Sequence, residues 1–168
     1  MRQVDVVGVR LELPSNQPVL ILRDQQAARY LPLWIGTAEA TAISLALDGV
    51  EPQRPLTHDL LANVIVQLGG KVTSISVSEL IEGTFYATIN FLNHDSISAR
   101  PSDAIALAIR DQVPVFVAQE VMDFAGMDLA IDDDFEPNAG ISQGEDMSQE
   151  ELDKFRAFLD YIQPEDFS

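Results

Sequence analysis

The spacing of hydrophobic and polar positions predicts short strands in the first part of the chain. Residues 3–13 alternate in part and are rich in Val and Leu, a pattern typical of a strand. A cluster of turn-forming residues at 14–18 precedes the apolar run 18–24, so the two segments are predicted to form a hairpin. A third extended segment is predicted at 30–36, because Pro32 disfavours a helix there.

Three segments have the spacing of helices. The first covers residues 37–49, with Thr37 as the predicted N-cap and Gly49 after the last turn. The second covers 57–70 and ends at a pair of glycines, and the third covers 102–110. The apolar positions of the second helix fall on one stripe: Leu60, Leu61, Val64, Ile65 and Leu68.

The remaining pattern predicts more strands. Residues 71–83 and 84–93 form two that meet near Glu82-Gly83, and His94-Asp95 is assigned to the next turn. Shorter strands at 96–100 and 113–119 flank the third helix, an arrangement that permits a crossover between parallel strands. Hairpins combined with one or two crossovers indicate an α+β fold.

The chain is predicted to be one compact domain followed by a different kind of segment. Residues 1–131 would form a mixed β-sheet with three helices, and 132–147 would be an acidic linker. Residues 148–168 would contain a C-terminal amphipathic helix, which a capping box at its start favours. Its apolar face would dock through Leu152, Phe155 and Leu159.

Charge is distributed unevenly along the 168 residues, whose formal net charge is −17. Residues 1–120 have 8 basic and 13 acidic side chains, whereas residues 121–168 have 2 and 14. Long-range attraction of nucleic acid is not what this balance predicts, so any such contact has to be local. The chain lacks cysteine and any apolar run near the roughly 20 residues that span a membrane, so we expect a cytoplasmic protein.

Two segments, RPLTHDLLANVI at 54–65 and RPSDAIALAIR at 100–110, share one order of residue types. In each, Arg-Pro is followed by a hydroxyl residue, an Asp and an apolar run. Asp59 and Asp103 can be explained as first-turn acids that offset the positive helix end, with Thr57 and Ser102 as N-caps. This structural explanation is sufficient for each residue taken alone.

The alternative is that the two aspartates act together. With Glu39, near the start of the first helix, they would supply three carboxylates of the kind that bind Mg²⁺ or Mn²⁺. His58 could then help to activate a water molecule, while Arg54 and Arg100 could hold a phosphate. Spacing along the chain does not by itself bring these residues together.

Four segments in order carry a family resemblance between about residues 4 and 130. LPLWIGTAEATAISLALDG, RPLTHDLL, EGTFYATI and ARPSDAIALAIR followed by VPVFV resemble the bifunctional nuclease family, also called the domain of unknown function 151. The resemblance implies a compact, oligomeric α+β domain and the RNase and DNase activity of plant relatives. The ending KFRAFLDYIQPEDF resembles actinobacterial members and does not match the helical motif of the plant proteins.

Two functions of different classes follow. The first is a metal-assisted nuclease for RNA or DNA, in which Glu39, Asp59 and Asp103 bind Mg²⁺ or Mn²⁺ and His58 assists catalysis together with the two aspartates. The second is a non-catalytic oligomeric module that recognises a small anion or a protein partner. A homo-oligomer, with a dimer favoured, is expected in both cases, and the acidic tail would be the contact for a protein partner.

Overall fold

The computed structural model describes residues 1–12 and 14–128, which form a seven-stranded sheet and four helices. The strands are β1 (Arg2–Glu12), β2 (Gln17–Asp24), β3 (Tyr30–Trp34), β4 (Val72–Ile81), β5 (Thr84–Phe91), β6 (His94–Ala99) and β7 (Val115–Val117). The helices are α1 (Thr37–Leu47), α2 (Thr57–Gln67), α3 (Pro101–Asp111) and α4 (Gln119–Ala125). The predicted α+β class is therefore confirmed.

The sheet consists of two antiparallel halves joined by one short strand. Its order is β3-β2-β1-β7-β4-β5-β6. Successive strands pair antiparallel within β1–β3 and within β4–β6. The three residues of β7 pair antiparallel with β1 and parallel with β4, so Val115 lies between Val4 and Ile75. In the described part of the chain, β7 alone connects the two halves by backbone pairing.

The predicted crossover is present. Since β7 runs parallel to β4, and β4 is related to β6 by two antiparallel steps, β6 and β7 point in the same direction. Helix α3 connects them across the width of β4 and β5, on which it packs. This connection places the start of α3 directly after the edge strand β6.

Helix α3 is the centre of the helical layer. It packs against α1, α2, β4 and β5, and six of its eleven residues are buried. Three of the buried residues are alanines, whose small side chains allow neighbouring backbones to approach closely. Helix α1 covers β1 and β2 and contributes the fully buried Ile43 to the same core.

Helix α2 lies outside this layer. It packs mainly on α3, and His58 is its only buried residue. Ile65 is partly buried, but the rest of the predicted apolar stripe is exposed. The helix was thus predicted correctly, whereas the stripe does not face the core of the described domain.

Several local predictions were wrong. Helix α4 was not predicted, because a seven-residue segment is too short for a clear helical period. The N-caps are Gly36, Leu56 and Arg100, none of which makes a side-chain capping bond, so Thr37, Thr57 and Ser102 lie inside their helices. Residues His94 and Asp95 belong to β6, not to a turn.

The predicted acidic linker 132–147, the helix at 148–162 and the boundary at residue 131 lie outside the described residues. Among residues 1–12 and 14–128, none of the helices is long and apolar enough to cross a membrane.

Candidate functional site

Three helices begin with the same arrangement of charge. Glu39, Asp59 and Asp103 are each the third residue of their helix, in α1, α2 and α3 respectively. A carboxylate in the first turn is stabilised by the positive end of the helix dipole. The packing of α1 and α2 on α3 brings these helix starts to one region of the surface.

Arg100 connects the starts of α1 and α3. Its Nε donates a hydrogen bond to Oδ2 of Asp103 at 2.6 Å, and its Nη2 donates to Oε1 of Glu39 at 2.8 Å. Both bonds raise the pKa of Arg100 above its ordinary value, and the bond to Asp103 has the larger effect. The side chain of Arg100 is 67% exposed, so a charged guanidinium faces solvent between two carboxylates.

Asp103 also contacts α2. Its Oδ1 lies 3.2 Å from Nε2 of His58, a side chain that is only 11% exposed. Burial by itself would raise the pKa of Asp103, but the hydrogen bonds from Arg100 and His58 outweigh it and lower the pKa. Glu39, His58, Arg100 and Asp103 therefore form one continuous polar group, named here the Arg100 cluster.

Asp59 belongs to a second ion pair. Its Oδ2 accepts a hydrogen bond from the backbone N–H of Leu56 at 2.8 Å, and its Oδ1 accepts one from Nε of Arg110. Arg110 also donates to the carbonyl oxygens of Ala106 and Ala42, at 2.9 and 3.1 Å. Asp59 thus closes the first turn of α2 and joins that helix to α3 and α1.

The pKa of Asp59 reflects the same contacts. Burial is the largest influence and would raise it, but the hydrogen bonds from Arg110 and Leu56 and the nearby positive charges together lower the pKa below its ordinary value. Asp59 is therefore ionised, and one of its oxygens is committed to a buried guanidinium.

Gly36 is required by the position of Glu39. A Cβ atom at residue 36 would overlap with the Oε2 atom of Glu39. The backbone of Gly36 is extended, with φ −73°, so the glycine is needed for space and not for a special conformation. The carboxylate of Glu39 is thereby able to fold back over the helix start while it binds Arg100.

The residues proposed from the sequence are distributed over two groups. Glu39, His58, Arg100 and Asp103 meet in the Arg100 cluster, whereas Asp59 is paired with Arg110 beside it. Arg54 is exposed in the loop before α2 and makes no hydrogen bond or ion pair within the described part of the chain. Arg110 was not singled out from the sequence, although an arginine at the end of an apolar helical run was the signal available.

The carboxylates do not fit a divalent cation as they are arranged. Over residues 1–12 and 14–128 there is no group of three His, Cys, Asp or Glu side chains that could hold a metal ion. Oxygens of Glu39 and Asp103 are bound to Arg100, and a cation would have to replace that guanidinium. Mg²⁺ or Mn²⁺ at Glu39, Asp59 and Asp103 stays a prediction from the sequence.

Comparison with known proteins gives a consistent result. The model of a family described as bifunctional nuclease domain matches residues 20–130. Two Mycobacterium tuberculosis proteins, from strains CDC 1551 / Oshkosh and H37Rv and both named as uncharacterised, are each 47% identical over 167 residues, covering 99% of this chain and 98% of their own. Bifunctional nuclease 2 of Oryza sativa subsp. japonica is 26% identical over 118 residues, covering 66% of this chain and 36% of the rice protein.

Proposed function

The chain belongs to the bifunctional nuclease domain family, and from this premise we propose that it hydrolyses phosphodiester bonds of RNA or DNA at the Arg100 cluster. The observation that carries the proposal is an exposed guanidinium beside a paired imidazole and carboxylate, all at converging helix starts. Each of these residues lies within the matched range 20–130.

Arg100 would bind the phosphate. A guanidinium presents several N–H groups in one plane and can form two parallel hydrogen bonds to phosphate oxygens. Two of its nitrogens are now bound to Asp103 and Glu39, so a phosphate has to compete with at least one of these carboxylates. Glu39 should be displaced more readily than Asp103. Glu39 accepts one hydrogen bond, from Arg100 at the start of another helix, whereas Asp103 is bound by both Arg100 and His58.

His58 and Asp103 would move the proton. In the proposed step, a water molecule attacks phosphorus, His58 accepts its proton and the ester bond to the leaving oxygen breaks. Asp103 stabilises the resulting imidazolium through the contact with Nε2. The leaving alkoxide then takes up this proton from the imidazolium of His58, which restores the neutral imidazole, so the products are a phosphate monoester and an alcohol.

The charge of the chain limits how a polyanion can bind. With −17 in total, the protein repels nucleic acid at long range, so binding relies on contacts close to Arg100 and Arg54. Divalent cations in solution would reduce this repulsion even without a protein site for them. Dependence of activity on Mg²⁺ or Mn²⁺ is therefore compatible with the proposal, although residues 1–12 and 14–128 contain no metal-binding cluster.

Cleavage of labelled single-stranded RNA and DNA by the purified chain, with Mg²⁺, with Mn²⁺ and with a chelator, tests the proposal. His58→Asn is expected to lower the rate by about 100-fold and Arg100→Ala by about 10-fold or more. Arg23→Ala is the matched control, since Arg23 is another exposed arginine, at 52%, and is paired with Asp5 away from the cluster. If all four proteins cleave at the same rate, the activity comes from a contaminant and the proposal is wrong.

A second function, recognition of a small anion without catalysis, is favoured by the poor fit of the carboxylates to a metal ion. In that case Arg100 would exchange its carboxylate partners for the anion and no bond would break. Calorimetric titration with inorganic phosphate separates the two functions. Binding that is lost in Arg100→Ala, together with no cleavage of RNA or DNA under any condition above, would support recognition alone.

A further inference from the structure

Glu39 is bound to the guanidinium that the proposed function assigns to phosphate. Its Oε1 accepts a hydrogen bond from Nη2 of Arg100 at 2.8 Å, and the two residues are 61 positions apart in the chain. The side chain of Glu39 is 18% exposed, whereas that of Arg100 is 67% exposed. A carboxylate of the protein itself therefore has the place of a ligand oxygen, on a guanidinium that still faces solvent.

The bond to Nη2 affects both ways in which a phosphate can form two parallel bonds to Arg100. A guanidinium has two edges with neighbouring parallel N–H groups, Nε with Nη2 and Nη1 with Nη2. Asp103 and Glu39 bind at Nε and Nη2, and no hydrogen bond within the described part of the chain uses Nη1 of Arg100. Since both edges include Nη2, a phosphate bound by two bonds comes to lie next to the carboxylate of Glu39.

Two anions on one nitrogen are unfavourable, because like charges at such short distance repel each other. Of the two carboxylates on Arg100, Asp103 is also held by Nε2 of His58, at 3.2 Å. Glu39 has a longer side chain and accepts its hydrogen bond from Arg100. Binding of a phosphate to Arg100 therefore requires the carboxylate of Glu39 to move away from Nη2.

The backbone provides the space in which Glu39 reaches Arg100. Its second oxygen, Oε2, lies where the Cβ atom of any other residue at position 36 would be. Gly36 has an ordinary extended conformation, with φ −73°, so a side chain is excluded here by Glu39 and not by backbone strain. The glycine and the ion pair thus belong to one arrangement, in which Glu39 is held over the start of α1.

We infer that Glu39 is an internal competitor for the phosphate site, which binds Arg100 in the free protein and must be displaced by each phosphate that enters. The inference rests on the proposed function, which gives phosphate binding to Arg100. Small free anions are kept from the guanidinium in this way, whereas a nucleic acid displaces Glu39 with the help of contacts to its neighbouring nucleotides. The returning carboxylate also competes with the phosphomonoester product and so promotes its release.

Calorimetric titration of the full chain with inorganic phosphate, a nucleoside monophosphate and a dinucleoside monophosphate tests the inference. Glu39→Gln keeps the size of the side chain and removes its charge, so the Kd of all three ligands is expected to fall by about threefold to tenfold. If Glu39 only served to orient Arg100, the same variant would bind more weakly. The sign of the change therefore separates a competitor from a structural support.

Three further variants serve as controls. Glu120→Gln makes the same change of charge in the first turn of α4, which packs on β3 and β4, and should leave the Kd unchanged. Glu39→Asp retains the charge at the helix start but is one methylene group shorter, so it should lose the bond to Arg100 and lower the Kd by a smaller factor. The double variant Glu39→Gln/Arg100→Ala should bind as weakly as Arg100→Ala, because the gain depends on the guanidinium.

Circular dichroism confirms that each variant is folded before its Kd is compared. An unchanged or higher Kd in folded Glu39→Gln would overturn the inference, as would a gain that persists without Arg100, or no binding by wild type and variant alike. The nuclease proposal can fail separately. A lower Kd without cleavage of RNA or DNA would support the role of Glu39 and refute the nuclease, whereas cleavage with an unchanged Kd would refute the role of Glu39 alone.

Discussion

Arg110, in the last turn of α3, donates the hydrogen of its Nε to the carboxylate of Asp59 at the start of α2, 51 residues earlier in the chain. Only 10% of the Arg110 side chain is exposed, and its other nitrogens are bound to carbonyl oxygens of α1 and α3. One guanidinium therefore joins three helices. The ion pair is part of the structure that holds the Arg100 cluster in place.

Removal of Asp59 should destabilise the protein. Asp59→Ala leaves the buried Arg110 charge unpaired, so we expect a loss of about 2–4 kcal/mol in the free energy of unfolding, measured by urea denaturation. The exposed pair of Asp5 and Arg23 provides the control, and Asp5→Ala should cost about 1 kcal/mol or less. Much of the loss should be recovered in Asp59→Ala/Arg110→Met, and a double variant as unstable as Asp59→Ala would argue against the pair.

Acid should weaken the fold through the same carboxylates. The pKa values of Asp59 and Asp103 are lowered from an ordinary value of 3.8. The unfolded chain therefore binds more protons near and below that pH, and the stabilisation present above pH 3.8 is lost as the pH falls through the folded values. Urea denaturation at a series of pH values between 6 and 2, as a rough range for carboxyl titration, should show a shallower loss of stability for Asp59→Asn and Asp103→Asn.

The contribution of Asp111 to stability should depend on pH in the opposite direction. Burial raises the pKa of its carboxyl above 3.8, so its contribution favours folding at low pH and is lost as the pH rises through the folded value. Asp111→Asn is therefore expected to be at least as stable as the wild type at neutral pH, and its relative advantage should disappear in acid. A neutral-pH loss of stability in this variant would contradict the assignment.

Gly36→Ala should move the carboxylate of Glu39 without unfolding the protein. The new Cβ would overlap with Oε2 of Glu39, but this flexible side chain can rotate away, so the cost should be below about 1 kcal/mol. The ion pair with Arg100 would be lost. The variant should then match Glu39→Gln in phosphate affinity and in melting temperature, and a clear difference between the two would show that Gly36 has another role.

Gln112→Gly should stabilise the chain. Gln112 ends α3 in the left-handed region, with φ 52°, a conformation that costs a residue with a Cβ about 1–2 kcal/mol. Part of this gain is offset by the greater freedom of glycine in the unfolded chain, so an increase of about 0.5–1 kcal/mol is expected. Gln112→Ala retains the Cβ and should give no gain in the same denaturation experiment.

Local pattern was sufficient for most of the fold. Alternation in β1 and helical spacing in α3 predicted both elements, because side chains on these elements are sorted by burial. The N-caps were misplaced, since Thr57 is as typical of a cap as of a first helical residue and the backbone turns one residue earlier, at Leu56. Helix α4 has too few turns to leave a period in the sequence.

The candidate site could be predicted only in part. The repeated order of residues before each helix correctly marked Asp59 and Asp103 as first-turn acids, a local property of the chain. Which positively charged side chain each acid binds depends on how α2 packs against α3. Spacing along the chain contains no information on that packing. The apolar stripe on α2 could also be predicted only in part, since helical spacing identifies an apolar face but not the element that covers it.

The position of β7 has a consequence for the order in which the sheet is completed. The halves β1–β3 and β4–β6 can each pair locally as soon as their residues leave the ribosome, whereas the strand that connects them, Val115–Val117, is made after both. Until then the inner edges of β1 and β4 have no neighbour, and unpaired edges are prone to association with other chains. Closure of the sheet is therefore a late event that joins residues far apart in the chain. Substitutions that weaken the pairing of these three residues would lower the yield of folded protein more than the short length of the strand suggests.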